Sequence, residues 1–401
     1  MIRAYRVATL IADRLAWPTA VAAGPFMGAL PQSLTKGTAG IALLHIERAA
    51  TGHGDWDTVH RWLTAAMRTP VTSDPATGLF YGAPAIAFAV HAATIGPGAY
   101  TRALTTLDGT VARMTNQRVR DANARIDRGE HPQFAEYDLI YGLTGLGAHY
   151  RLIEPHGQLL RRILAYLVRL TEPLPDGLPG WWTDLAPSGD LSPSHPGGHG
   201  NLGMAHGITG PLALLSLALR DGISMPGQPQ AIERICGWLD SWRQEGDHGP
   251  WWPEAVTLAE HRDHTTRQSG PLRPSWCYGT PGIARAQQLA GQALGQPGRR
   301  QLAVDAMAAC LADPAQTNQV IDHTLCHGSA GLLQTARRMA DDCGESAISD
   351  RLPRLLEQFL VHVPQPIAPG LLEGAAGLAL ALHAADGRPP GSPWDACLLL
   401  N

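Results

Sequence analysis

The chain is poor in charge, in lysine, in aromatics other than tryptophan and in long apolar runs, and each shortage removes a class of function. Only 16% of its 401 residues are charged and the net charge is −4. The basic domain or stripe of a nucleic-acid binder is therefore missing. The longest apolar stretch, near Leu212–Leu219, is too short to span a bilayer. The N-terminal apolar run is broken by Arg6, Asp13 and Arg14, which makes a poor signal peptide and predicts a cytoplasmic protein. Six cysteines in a reducing compartment do not build a disulfide framework, so metal binding and plain burial remain as their uses. What the chain does have is apolar residues, 44% of the total, with glycine and proline dispersed and not gathered in one tract. That composition suits a large buried core.

One pattern recurs seven times: a polar residue, then Gly-x-x-Gly, then an apolar helical stretch. It reads Lys36-GTAG, Tyr81-GAPA, Tyr141-GLTG, His206-GITG, Tyr278-GTPG, His327-GSAG and Glu373-GAAG. Only the second copy departs, with Ala85 in place of the second Gly. The copies are spaced about 45 to 72 residues apart, a period that marks repeat architectures. Amphipathic stretches such as 157–171, 230–243 and 300–311 lie between them. A helix apolar all round is buried and an amphipathic one faces water. The pattern predicts an all-α protein of about fourteen helices: seven inner helices within seven outer ones, closed into an α/α toroid that forms a single domain over residues 1–401. The competing arrangement is an open helical solenoid, but the terminal copies look like the internal ones and carry no polar cap. Glycine at both motif positions relieves crowding where the inner helices begin and permits turns with φ > 0. The residue before the first Gly is polar or ionisable in all seven copies, which places these side chains around a common cavity.

Two copies add cysteine. Cys277 and Cys326 each stand two residues before the Gly of their copy, and His327 follows Cys326 directly. Neighbouring copies in a closed ring are neighbours in space. Two thiolates and one imidazole with an open fourth position make a catalytic zinc site, because structural zinc sites are closed by four protein ligands. Soft sulfur donors select zinc over magnesium or calcium. Cys236, Cys310 and Cys397 read as buried small hydrophobes, and Cys343 as an exposed loop thiol.

The segments Tyr137-Asp138-Leu139-Ile140-Tyr141-Gly142, Leu202-Gly203-Met204-Ala205-His206-Gly207, Arg273-x-x-Trp276-Cys277-Tyr278-Gly279 and Cys326-His327-Gly328, with Trp394-Asp395 near the end, resemble those of the lanthionine synthetase C-like family, the lantibiotic cyclases. The resemblance runs along the whole chain and is to the stand-alone cyclase. It implies an α/α toroid with zinc at one rim, one Zn²⁺ per chain bound by Cys277, Cys326 and His327, and His206 and Asp138 in proton transfer or positioning. Arg273 and Tyr278 would lie close to the metal. The implied reaction is addition of a peptide cysteine thiol to dehydroalanine or dehydrobutyrine, which forms a thioether ring. The implied partners are a dehydrated precursor peptide with leader and core, a separate dehydratase and an export transporter, in a complex that can be peripheral to a membrane.

The chemistry fits these residue types. A free thiol has a pKa of roughly 8.5, and metal coordination removes its proton. The enolate formed on attack needs a proton and a nearby cation, and Arg273 is the candidate cation. Asp138 can instead cap a helix, His206 can be a packed histidine and Arg273 a surface ion pair. A different class of reading is a non-cyclising family member that binds glutathione or a peptide or protein partner. A prenyltransferase would need several Lys and Arg for a diphosphate, and Lys36 is the only rim lysine. A barrel glycosidase would need paired carboxylates, and near the rim the sequence offers Asp138 and Glu373 while leaving the cysteines unexplained. The Pro/Gly-rich stretches 171–205 and 244–275 carry Trp181, Trp182, Trp251 and Trp252. They read as a small substrate-binding lobe or as packing over the outer helices. His195 and His199 could cover the site, whereas His261, His264 and His323 read as solvated.

Overall fold

The computed structural model describes residues 2–401 apart from 20–31, 99, 187, 192, 345, 362–367 and 386. Two compact units emerge. The first comprises Met1–Met114, Ile321–Gln334 and Leu352–Asp395, and the second Thr115–Val320, Thr335–Arg351 and Ala396–Asn401. Every Gly motif opens a helix: Thr38–Ala50, Gly82–Ala93, Leu143–Ile153, Thr209–Arg220, Thr280–Ala293, Ser329–Cys343 and Ala375–Ala384. A second helix precedes each: Ile2–Arg14, Trp56–Ala66, Thr101–Asp127, Gln158–Leu170, Gln228–Ser241, Pro297–Ala312 and Leu352–Val361. The expected alternation of helix types is thus present, and the protein is all-helical apart from short strand pairs.

The burial pattern follows the composition. Ala375–Ala384 is buried along its whole length, and so is nearly all of Gly82–Ala93. Trp56–Ala66 buries one face only, through Thr58, Val59, Trp62, Leu63 and Ala66. Its first turn is closed by Asp55, whose carboxylate accepts from Thr58 N at 2.7 Å. Three motif helices also bury charged side chains: Glu47 and Arg48, Arg285, and Arg337. Arg285 in Thr280–Ala293 is 1% exposed. Its guanidinium donates to the Leu400 carbonyl at 3.0 and 2.6 Å and lies 2.9 Å from Asp342. A buried cation is tolerated because the partners are provided, and burial still pulls its pKa down to about 10.

Consecutive copies are joined through backbone. In the second unit Leu139 N donates to Ala205 O (3.1 Å), and Met204 N to Cys277 O (2.9 Å). In the first unit Cys326 N donates to Leu372 O (2.9 Å), Leu372 N to Thr35 O (3.0 Å) and Leu34 N to Phe80 O (2.9 Å). Each acceptor stands two residues before its Gly. The bond from Leu372 to Thr35 ties the seventh copy to the first, and helix Ala375–Ala384 packs on Thr38–Ala50.

Close backbone approach explains the glycines better than dihedral freedom does. The first Gly has φ of −99°, −96° and −163° at Gly37, Gly142 and Gly374, and only Gly82 and Gly279 of that position have positive φ. What recurs at the second position is close approach. A Cβ on Gly210 would lie 2.7 Å from Met204 O, and one on Gly40, Gly282, Gly331 or Gly377 would collide with the carbonyl six residues earlier.

The stretches 171–205 and 244–275 are tied to each other. His199–Asn201 pairs antiparallel with Ala255–Thr257, and Gln244–Gly246 forms a hairpin with Gly249–Trp251. The tryptophans there are used in packing. Trp182 and Trp252 are buried, and Trp252 Nε1 donates to Leu239 O at 2.8 Å. Among the described residues no helix is long and apolar enough to cross a membrane.

Gly377→Ala is therefore expected to destabilise the protein by about 2 kcal/mol or more, because backbone cannot move aside as a flexible side chain can. Ala85→Gly should cost no more than about 1 kcal/mol. Denaturant unfolding of the two variants is the check, and equal midpoints for Gly377→Ala and wild type would contradict the account.

Candidate active site

In the second unit the loop before helix Leu143–Ile153 is organised by Asp138, which has no exposed surface. Its Oδ1 accepts from the N–H groups of Tyr141 (2.6 Å) and Gly142 (2.7 Å), and its Oδ2 lies 2.6 Å from His206 Nδ1. Asp138 thus ties the loop before the helix to His206 and does not cap the helix itself. Both carboxylate oxygens of this buried side chain therefore have partners. His206 keeps 18% of its side chain exposed, and its ring stacks on Tyr141 at 5.8 Å, with Tyr278 at 6.5 Å. Tyr278 OH accepts from Asn201 Nδ2 at 3.1 Å, and burial pushes the phenol well above its ordinary pKa.

Cys277 is 5% exposed. Its carbonyl accepts from Met204 and Ala205, and its Sγ is 3.5 Å from Ser275 Oγ. Ser275 also donates to Tyr278 O at 2.7 Å, so the turn that presents the thiol is fixed from both sides. Glu254 belongs to the same neighbourhood. Burial raises its pKa, Cys277 adds to the rise and Arg273 opposes it. Sequence reasoning missed Glu254 and Asn201, which come from the paired loops and carry no motif signal of their own.

In the first unit Cys326 and His327 are half-buried at the start of helix Ser329–Cys343. Asp322 was also missed. Its Oδ1 accepts from Thr324 N (2.8 Å) and Thr324 Oγ1 (2.7 Å), and its Oδ2 lies 3.3 Å from His327 Nε2. The signal was an aspartate five residues before a candidate ligand histidine. Lys36 and Glu373 form an ion pair at 2.8 Å in this unit.

Three peripheral assignments change. His261 is half-buried between Trp182 and Trp238, 5.5 Å from each. His323 is half-buried, with Nδ1 2.6 Å from Ser329 Oγ. Cys343 ends a helix and is half-buried. His199 is buried against His195, and burial lowers its pKa to about 4. Cys236, Cys310 and Cys397 are buried as expected.

A model of the family described as lanthionine synthetase C-like protein matches residues 28–399. The chain belongs to that family. A curated relative of this lanthionine synthetase C-like chain, nisin biosynthesis protein NisC of Lactococcus lactis subsp. lactis, is 27% identical over 274 residues. That match takes in 66% of this chain and 64% of the relative, under two thirds of the relative's length. A solved nisin cyclase is similar in fold with a TM-score of 0.81 and 21% identity, over 98% of this chain and 96% of that one. The all-helical fold of the family member described here thus agrees with an α/α toroid.

Thiol labelling checks the local environments. Burial pushes Cys236 up to about 12 and Cys310 higher still. In native, metal-free protein at pH 8, iodoacetamide should label Cys326 and Cys343 well before either. Peptide mapping that finds Cys236 or Cys310 modified first would contradict this.

Proposed function

We propose that this lanthionine synthetase C-like chain is a zinc-dependent cyclase that adds a peptide cysteine thiol to a dehydroalanine or dehydrobutyrine of the same dehydrated precursor. The observation that carries the reading is the Asp138–His206 couple, built beside a motif copy that presents a cysteine. The partners would be the precursor peptide and, upstream, a dehydratase. An export transporter would follow, and the paired loops 171–205 and 244–275 would form a small lobe that guides the peptide.

We infer that Cys277, Cys326 and His327 hold one Zn²⁺. The donor set fits: both cysteines stand at the same address in their copies, with backbone pinned by the ladder. Asp322 against His327 is the carboxylate partner typical of a metal-binding histidine. When bound, Zn²⁺ would hold the substrate thiol as its thiolate at neutral pH. The rest falls to the side chains. The sulfur attacks the β-carbon, and the π electrons of the double bond move toward the amide carbonyl as an enolate. The cation Arg273 stabilises that oxygen. His206 then delivers a proton to the α-carbon, and the carbonyl re-forms. The sum is addition of S–H across C=C, with no oxidant or reductant. Asp138 keeps the ring in one orientation and balances the imidazolium form. Tyr278, with its proton held by burial, would donate a hydrogen bond to the peptide and stay neutral.

Two outcomes are expected. Purified protein should contain one equivalent of zinc by elemental analysis, and Cys277→Ala/Cys326→Ala should lose it while keeping its helical circular dichroism, since the core does not need the metal. Full zinc retention in the double variant would end the ligand assignment. His206→Ala should keep zinc and slow cyclisation by roughly 10²–10⁴-fold, read by mass spectrometry of thiol-alkylated product against a no-enzyme control. A wild-type rate in that variant would remove His206 from the proton role, and wild-type enzyme no faster than the control would remove the cyclase reading.

A further inference from the structure

Lys36 is the only lysine in the chain, against thirty arginines. It stands at the polar position before the first Gly of copy one, and its Nζ lies 2.8 Å from Glu373 Oε2, the residue at the same position of copy seven. The two side chains are 53% and 35% exposed. An ion pair this wet adds little to stability, so the fold does not account for it.

Its surroundings are more informative. The Thr35 carbonyl accepts from Leu372 N and Glu373 N, and the Leu372 carbonyl accepts from Cys326 N at 2.9 Å. These bonds set the pre-glycine side chains of copies six, seven and one side by side within the first unit: His327, Glu373 and Lys36. The ammonium is stabilised first by its hydrogen bond to Glu373 and by the charge of that carboxylate, and burial opposes this. Tyr81 and Cys326 add smaller favourable contributions. An ammonium has three N–H donors, and the pair to Glu373 uses one.

We propose that Lys36, anchored by Glu373, is the counter-charge for the thiolate that the substrate brings to Cys326, and that the Lys36–Glu373 pair sets how tightly a thiol-bearing peptide is held. The inference rests on the thiol-activating reading above. A compact ammonium on a flexible stem can follow the incoming sulfur. Glu373 keeps it nearby and offsets part of its charge, which limits the hold on the anion. Removing the lysine and removing the glutamate should therefore act in opposite directions, which a merely structural ion pair would not do.

The experiment is calorimetric titration of the zinc-loaded full chain at pH 7 with a peptide carrying one cysteine and no dehydrated residue, and with its serine analogue. Wild type should prefer the cysteine peptide. Lys36→Met should weaken cysteine-peptide binding about fivefold, the effect of one charge near 4 Å in a wet setting, and leave the serine analogue unchanged. Lys36→Arg should stay within about twofold of wild type. Glu373→Gln should tighten the cysteine peptide about twofold. Unchanged thiol affinity in Lys36→Met, equal loss for both peptides, or weakening in Glu373→Gln would each overturn the proposal. If wild type does not distinguish the two peptides, the thiol-activating reading fails and this inference falls with it.

Discussion

In five of the seven copies the carbonyl two residues before the motif Gly accepts a hydrogen bond from the loop of a neighbouring copy, and much else depends on that contact. It requires backbone to approach backbone. The helix that follows must also begin against the carbonyl six residues earlier, where a Cβ on Gly377 or Gly331 would collide with it. Glycine is retained for that reason, more than for a positive φ. Once the backbone is pinned, the two side chains before the Gly acquire fixed addresses. Cys277 and Cys326 share one address, and Tyr278, His327, His206, Lys36 and Glu373 share the next. A chemically diverse set can therefore vary on an unvarying frame.

Two aspartates then convert loop geometry into side-chain geometry in the same way. Asp138 spends Oδ1 on the N–H groups of Tyr141 and Gly142 and Oδ2 on His206. Asp322 spends Oδ1 on Thr324 and Oδ2 on His327. A carboxylate has four lone-pair directions, and backbone donors occupy some of them without neutralising the charge. The remaining oxygen is left aimed at an imidazole. The histidine is thereby oriented by the same residue that orders the turn, so the ring cannot be misplaced without disturbing the start of the helix.

The repeats, the helices and the paired address of the cysteines were legible because they depend on local signals: a 3.6-residue apolar period, Gly spacing and one residue's offset from a Gly. What was not legible came from contacts between distant segments. Glu254 reaches the Cys277 neighbourhood because Leu202 N donates to its carbonyl, a pairing of two Pro/Gly-rich stretches with no shared motif. Arg285 looks like a flaw in an apolar helix until the Leu400 carbonyl and Asp342 meet it. His261 looked solvated because its sequence neighbours are polar, yet two tryptophans from other segments flank it. A sequence motif does not show that one Asp138 oxygen accepts from the loop N–H groups of Tyr141 and Gly142 while the other meets His206.

Burial is divided unequally within the Asp138–His206 couple, and the division suits the proton delivery proposed for it. Asp138 is fully enclosed while His206 keeps 18% of its side chain exposed. A proton donor must meet the substrate and later regain its proton from water, so it needs an open side. Its partner needs a fixed position and a charge that solvent does not screen, so it benefits from enclosure. Exchanging the two exposures would leave a wet, loosely held carboxylate and an imidazole unable to exchange its proton. The loop before helix Leu143–Ile153 avoids this by burying the carboxylate against the N–H groups of Tyr141 and Gly142, with the histidine supplied by another copy. The histidine is thus held by a group whose own position is already determined by the fold.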